Sequence, residues 1–337
     1  MLHTLFSFGS VKTAPEWITL VLIGVQSGLQ SNKRGIVSWA RHHGFEPNTK
    51  NRKPWVQYMI NGIKLKMGPS FDYESHPLEF TSWLHFRSLV DIILVNDFTT
   101  YLIFVLAYFR APEGGHGIVD ILRYAGGAGL LAFNVWVKVD AHRVVRDFAW
   151  YWGDFFFLSS TTLTFDGVFE LAPHPMYSVG YIGYYGASLI AQSYWVLFVS
   201  LLAHACQMAF LWVVEEPHIE KTYGGGESTA RKERNEYFKR DLTIFKNFDF
   251  FRASDLMTGF IVLQTLLLTL IIGPIDHSSS FTDWKYWFYV SQALVWRTVY
   301  NYGLGAVLYL QGERRWWNKH FVKHGDSGRD GFGSWKV

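Results

Sequence analysis

Val90–Phe109 reads VDIILVNDFTTYLIFVLAYF, in which Asp91 and Asp97 are the only charged residues. That is the length an α-helix needs to cross the hydrocarbon of a bilayer. Comparable apolar stretches follow at Ile118–Val139, Met176–Ala191, Tyr194–Val214, Leu256–Ile272 and Tyr286–Leu310. The third is short and rich in Gly and Tyr, the fourth has His204 and Gln207 as its most polar members, and the last carries Arg297 near its middle. A soluble helical protein buries a few such helices but has little use for so many of this length. The pattern predicts an all-α fold: a polytopic integral membrane helical bundle of about six transmembrane helices, with interfacial helices on the cytosolic side.

The composition agrees. Of 337 residues, 49% are hydrophobic, 18% aromatic and 18% charged, against roughly 25% charged in an average soluble domain. Disorder over most of the length is excluded by the apolar content. The single Cys206 excludes a disulfide framework and a Cys-ligated zinc site, and no metal site is expected. The opening residues MLHTLFSFGSVKTAPEW lack a basic n-region followed by a clean apolar run, so internal spans are expected to direct insertion. Lys and Arg crowd residues 33–66, 138–146, 221–252 and 314–323, while the connections 110–117, 192–193 and 273–285 carry only Arg110 and Lys285. Basic loops stay in the cytosol. The net charge of +3 therefore describes a basic rim facing anionic headgroups and does not point to nucleic acid.

The chain divides into an N-terminal short apolar segment with a cytosolic amphipathic region (1–88), a membrane core (89–222), a polar cytosolic loop (223–255), a helical hairpin (256–311) and a cytosolic tail (312–337). LQSNKRGIVSWARHHG at Leu29–Gly44 is echoed by LQGERRWWNKHFVKHG at Leu310–Gly325. Either a second repeat opens near residue 256, or two basic interfacial helices coincide in pattern. YGGGESTARKERNE, residues 223–236, reads as a flexible linker.

The densest chemical signal is APHPMYSVGY, Ala172–Tyr181. Two prolines fix the backbone around His174, at a helix start whose amides are free to meet an anion. Gly180, Gly183 and Gly186 give one face that a flat ligand or a neighbouring helix can approach. One helical hairpin later the chain reads Glu215-Glu216-Pro217-His218 at a membrane exit, where adjacent carboxylates are costly unless hydrated or paired with a cation. The two motifs are either ordinary helix-terminal turns or the two halves of one site: imidazole and amides for a carboxylate, the acidic pair for an ammonium or ribose hydroxyls.

APHPMYSVGY and EEPHIEKTY together resemble the signature of the membrane-embedded S-adenosylmethionine methyltransferases that act on phospholipid headgroups and prenylcysteine. The flanking text, VWVKVDAHRVVRDFAWYWGDFFF at 135–157 and LTFDGVFELAPHPMYSVGYIGYYGASL at 163–189, is similar specifically to the large fungal phosphatidylethanolamine N-methyltransferases. The resemblance implies S-adenosyl-L-methionine as cofactor and phosphatidylethanolamine in the bilayer as partner and substrate. It implies the first methylation toward phosphatidylcholine, in the endoplasmic reticulum membrane, with the cofactor site facing the cytosol. It assigns His174, Pro175, Tyr177, Gly180 and Tyr181 to one part of the cofactor site and Glu215 and Glu216 to the other. Pro173 stands where many relatives place Arg, which removes a guanidinium contact at that position. The long-form family carries two such units, so the echo implies one unit and the start of the next, with GFGSWK at 331–336 leading into it. Methylation of a prenylcysteine carboxylate, a sterol reductase and a truncated non-catalytic scaffold are the competing readings.

Methyl transfer needs alignment and a neutral amine. Asp154, set among Trp150, Tyr151, Trp152 and Phe155, is the first candidate to orient or deprotonate it, with Asp140 and His142 second. An N-cap role or pairing with Arg146 is the structural alternative for Asp154. Arg143 and Arg146 suit a lipid phosphate. Trp150, Tyr151, Trp152, Tyr181, Tyr184 and Tyr185 offer a cation-π enclosure, from which Trp152 and Tyr185 are taken as substrate contacts, or serve as interfacial anchors. His204 and Gln207 are expected to satisfy helix–helix hydrogen bonds, and Asp91, Asp97 and Arg297 to pair inside the bundle.

Overall fold

The computed structural model describes residues 36–110, 117–157, 166–172, 174–223, 248–249, 251–272, 284–315 and 317. Pro173, residues 224–236, the opening of the first echo and the tail beyond 317 lie outside the described residues.

Before the membrane core come α1 (Ile36–His43) and α2 (Pro54–Met67). Pro54 opens α2 at a position whose amide would be unpaired anyway, and Gly68, at φ +93°, closes it by donating to the Lys64 carbonyl. The loops on either side fold around one bidentate pair: Arg52 Nη1 and Nη2 donate to Glu74 Oε1 and Oε2 at 2.7 and 2.9 Å. The same guanidinium donates to the carbonyls of Gly44 and Glu46, and the Asn48 amide donates to Glu74. These bonds depress the Glu74 carboxyl below its ordinary value against the opposing effect of burial.

Long helices follow. α3 (Leu78–Ala107) begins behind Pro77 and is central, packing against α1, α9 and α10. Its start at Leu78 places the boundary expected at residue 88 inside a helix. α4 (Ile118–Trp150) runs past the expected span end at Val139, and is followed by the single turn α5 (Gly153–Phe156). α6 (Ile182–Ala191) and α7 (Tyr194–Phe210) make a tight hairpin, in which the Ser193 hydroxyl caps α7. α7 widens into a π-helical turn, Leu211–Glu215, and continues as α8 (Glu216–Tyr223). Pro217 has no N–H to offer the preceding turn, and the Glu216 amide reaches back five residues to the Leu211 carbonyl. α9 (Ala253–Ile272) stands alone in sequence, while α10 (Trp284–Thr298) runs through a second π-helical stretch, Val299–Leu304, into α11 (Gly305–Arg314).

Among the described residues every regular element is helical. Three helical stretches, Leu78–Ala107, Ile118–Phe156 and Tyr194–Glu220, have the length and apolar content to cross a membrane. These three are the ones that meet both criteria among the described residues, and the expected count of six is not confirmed by them. In particular, Met176–Ala191 is not a continuous span: it is a turn, a 3-10 segment Val179–Tyr181 and the ten-residue α6. At 1.5 Å per residue α6 covers only about 15 Å.

Glycine explains how α6 is held. A Cβ on Gly186 would lie 2.8 Å from the Gly127 carbonyl oxygen, and one on Gly180 would lie 2.8 Å from that of Pro175 and 3.0 Å from Val137. The Gly180/183/186 face thus meets a neighbouring helix, α4, rather than a flat ligand. Asn134 of α4 donates to the Gly180 carbonyl across the same contact.

Buried charge ties the other helices together. Lys66 Nζ of α2 lies 3.1 Å from Asp91 Oδ2 and 3.9 Å from Asp255 Oδ1. Arg87 reaches Asp91 Oδ2 at 3.3 Å and Asp147 Oδ2 at 3.1 Å, and its guanidinium lies 4.3 Å from the centre of the Tyr151 ring. Arg252 meets Asp255 at 3.3 Å. Three cations therefore face three carboxylates across α2, α3, the end of α4 and the start of α9. Burial pulls the Lys66 ammonium below its ordinary value while Asp91 and Asp255 oppose it. Within α4, Arg146 adopts φ +58°, ψ −178°, a region favourable only to glycine, and this break turns Asp147 toward Arg87. The expected pairing of Asp97 with Arg297 is present at 2.7 Å.

Glu74→Gln should destabilise the fold at pH 7 by about 1–2 kcal/mol, as expected for a charge-assisted bidentate pair, and so lower the thermal midpoint. Because the folded Glu74 pKa is depressed, wild-type stability from this group is present above the unfolded value and lost as pH falls through the folded one. The gap between the two proteins, read by thermal unfolding in detergent, should close in acid. Arg146→Gly should raise the midpoint relative to Arg146→Ala, since strain of about 1–3 kcal/mol is relieved only by glycine.

Candidate functional site

The turn at His174–Ser178 is built by its own backbone. The His174 carbonyl accepts from the Tyr177 and Ser178 amides at 3.2 and 3.1 Å and from the Ser178 hydroxyl at 2.8 Å, and the Gly180 amide donates to the Pro175 carbonyl at 2.7 Å. His204 of α7 fixes the turn from the side. Its Nε2 lies 2.9 Å from the Tyr177 carbonyl and its Nδ1 lies 2.6 Å from the Tyr185 hydroxyl, while its ring stacks on Tyr181 at 4.3 Å between centroids. The expectation of a helix–helix hydrogen bond for His204 holds, with the added consequence that the bond lands on the motif's backbone.

Held this way, the buried Tyr177 side chain faces the Glu215 carboxylate, and the two interact side chain to side chain. His174 lies within Coulombic reach of Glu216. The two motifs, separated by a helical hairpin in sequence, are therefore one cluster. Burial lowers the His174 pKa below the ordinary histidine value, and the Glu216 charge only partly opposes it, so the imidazole is neutral at pH 7.

Asp154 belongs to this cluster. It lies within Coulombic reach of Tyr177 and Glu215, and its Oδ2 is 3.3 Å from His218 Nε2. His218 in turn stacks flat on Phe155, 3.6 Å between centroids and 15° between planes. The carboxylate thus pairs with His218 and not with Arg146. His218 sits in the quoted Glu-Glu-Pro-His run three residues after Glu215, and that helical spacing was the available signal for it. Tyr300, on the second π-helical stretch, is also within reach of Tyr177 and Glu215; nothing in its local sequence marks it.

Other candidates lie in different surroundings. His142 Nε2 is 3.1 Å from Asp147 Oδ1, and its ring meets Trp150 edge-on, so it belongs to the buried charge set around Arg87. Asp140 bonds Arg143 Nε at 2.7 Å and accepts from the Val168 amide at 2.8 Å, which pins the Gly167–Glu170 turn to α4. Arg143 and Arg146 are exposed. The aromatic candidates do not form one enclosure: Tyr151 covers Arg87, Tyr184 covers Arg297 and Lys138, Trp150 meets His142 and Trp152 meets Phe210.

The residues present suit a small ligand with an ammonium and hydroxyl groups. Glu215 Oε2 and the Tyr181 hydroxyl are buried without a hydrogen-bond partner, and the acidic pair supplies acceptors beside a neutral imidazole. That donor and acceptor set fits S-adenosylmethionine. Among the described residues no group of three or more His, Cys, Asp or Glu has metal-binding geometry.

Residues 122–226, which run from near the start of α4 through α8, match the family model of the phospholipid methyltransferases. Over 93% of its length the chain is similar to curated phosphatidylethanolamine N-methyltransferases of fungi. It is 45% identical over 321 residues to the protein of Schizosaccharomyces pombe and covers 34% of it. It is 40% identical over 347 residues to that of Fusarium vanettenii, and 42% over 348 residues to that of Arthroderma benhamiae, covering 35% and 36% of them. The chain spans about a third of the length of these relatives. No solved structure matches. The resemblance read at 135–157 and 163–189 is thereby shown.

Tyr177→Phe and His204→Ala should separate aiming from contact. His204→Ala frees the motif backbone and should weaken binding of S-adenosylhomocysteine at least tenfold, measured by equilibrium dialysis. His204→Gln, which retains one side-chain hydrogen bond, should recover part of that loss. Equal binding by all three proteins and wild type would remove the motif from the site.

Proposed function

We propose that this chain carries out the S-adenosylmethionine-dependent N-methylation of phosphatidylethanolamine to phosphatidyl-N-methylethanolamine, the first methylation toward phosphatidylcholine. The observation that carries this reading is the meeting of His174 and Tyr177 with Glu216 and Glu215 on neighbouring helix ends. Relatives 40–45% identical over 93% of the chain, which bear the name phosphatidylethanolamine N-methyltransferase, support it. The expected setting is the endoplasmic reticulum, with the cluster on the cytosolic face, as the distribution of basic loops suggests.

The cofactor supplies a methyl group on a sulfonium. The chain's residues have three tasks. Glu215 and Glu216 hold cationic or hydroxyl groups, and the His174–Tyr181 turn offers amides and an uncharged imidazole to a carboxylate. The amine lone pair forms the new N–C bond as the S–C bond breaks, so the amine must first lose a proton. Asp154, held by His218, is the carboxylate proposed to accept it. Proximity at such a site supplies several kcal/mol without covalent participation by the protein. Exposed Arg143 and Arg146 are proposed to meet the lipid phosphate from the helix end.

The test is purified chain in phosphatidylethanolamine vesicles with methyl-labelled S-adenosylmethionine, followed by lipid extraction. Label in the monomethylated phospholipid is expected. Cofactor binding without lipid label would contradict the reading. Asp154→Asn should lower turnover at pH 7 by about 100-fold or more while leaving cofactor affinity within about twofold.

A further inference from the structure

Two buried carboxamides stand unpaired near the cluster. Gln207 is 2% exposed and its Nε2 has no hydrogen-bond partner; Asn301 is 4% exposed and neither its Nδ2 nor its Oδ1 has one. Leaving such groups dry and unpaired is costly. Gln207 is on α7, and Asn301 is on the π-helical stretch Val299–Leu304, one residue beyond Tyr300. Cys206 Sγ lies 3.7 Å from the Tyr302 hydroxyl, and a Cβ on Gly305 would lie 3.1 Å from Phe210. These contacts set the two helices side by side, with Gln207 next in sequence to Cys206 and Asn301 next to Tyr302. Asn301 lies within a π-helical stretch and Gln207 lies one turn before another, Leu211–Glu215; π-helical turns concentrate where a chain serves a ligand.

We infer that Gln207 and Asn301 form the inner end of the methyl-donor site, where they bind a ligand group that presents adjacent hydrogen-bond donors and acceptors. This rests on the methyltransferase reading above and extends it to a helix outside the family match at 122–226. Gln207 and Glu215 are eight residues apart on one helix, about 12 Å along its axis. An elongated ligand with polar groups at both ends spans that interval; a lone headgroup amine does not. In S-adenosylmethionine the complementary chemistry occurs twice, at the adenine edge and at the zwitterionic amino-acid end. Asn301 offers a free donor and a free acceptor on one carboxamide, and Gln207 adds a donor.

The experiment uses Asn301→Leu and Gln207→Leu in the full chain, with binding of S-adenosylhomocysteine and thermal unfolding as readouts. Replacing an unpaired buried carboxamide by an apolar side chain of similar size leaves the ligand-free midpoint unchanged or higher. Each variant is expected to bind the ligand at least tenfold more weakly. S-inosylhomocysteine and decarboxylated S-adenosylhomocysteine identify the end that is read: affinity for one analogue and for the parent ligand should converge in the variants. Convergence with neither analogue, or wild-type affinity in both stable variants, overturns the inference. Failure of the wild-type chain to bind S-adenosylhomocysteine overturns the methyltransferase reading instead.

Discussion

A charge removed from water inside a membrane protein must meet its opposite, and this requirement shapes the helix arrangement. Lys66, Arg87 and Arg252 are matched to Asp91, Asp147 and Asp255, and Arg297 to Asp97. Arg87 and Asp91 pair within α3, and each also reaches a charge on another element: Asp147 at the end of α4 and Lys66 of α2. Lys66 of α2 finds its carboxylates on α3 and α9, and Asp147 at the bent end of α4 finds its guanidinium on α3, which ties these elements together. The strained backbone at Arg146 is the local cost of turning Asp147 inward, and it also fixes where α4 ends and where Asp154 begins.

The cluster at the hairpin is the counterpart of that rule. Glu215 meets the Tyr177 hydroxyl and the charge of Asp154, but no cation of the chain pairs with it in the described contacts. Asp154 has His218, whose ring is fixed on Phe155. In the proposed reaction, a cationic group of the ligand would meet the Glu215 oxygen that has no partner in the chain. Pro217 contributes by widening the helix at Leu211–Glu215, so that the carboxylate leaves the α-helical register at the level of the motif turn.

The all-helical membrane character was legible because apolar runs of bilayer length admit few other readings. The pairing of Asp97 with Arg297 was legible from the cost of charge in such runs. The two motifs could be quoted from the sequence, but their meeting depends on the length of α6 and on His204, neither of which a linear pattern reveals. The glycine row at 180, 183 and 186 was ambiguous between ligand and helix, and packing on Gly127 and Asn134 decides for the helix. His142 looked like a chemical group and is a member of the core ion set, because the kink that brings Asp147 beside it has no sequence signature. Gln207 and Asn301 were obscure for the opposite reason: a carboxamide in an apolar helix usually bonds a neighbour, and only the packed structure shows these two without one.

The claim that the two motifs form a single methyl-donor site is tested most directly by ultraviolet crosslinking of radiolabelled S-adenosylmethionine to the chain in lipid vesicles, with peptide mapping of the adduct. Label should fall within residues 174–181 or 207–220 and be displaced by unlabelled S-adenosylhomocysteine. Displaceable label confined to another part of the chain would contradict the account.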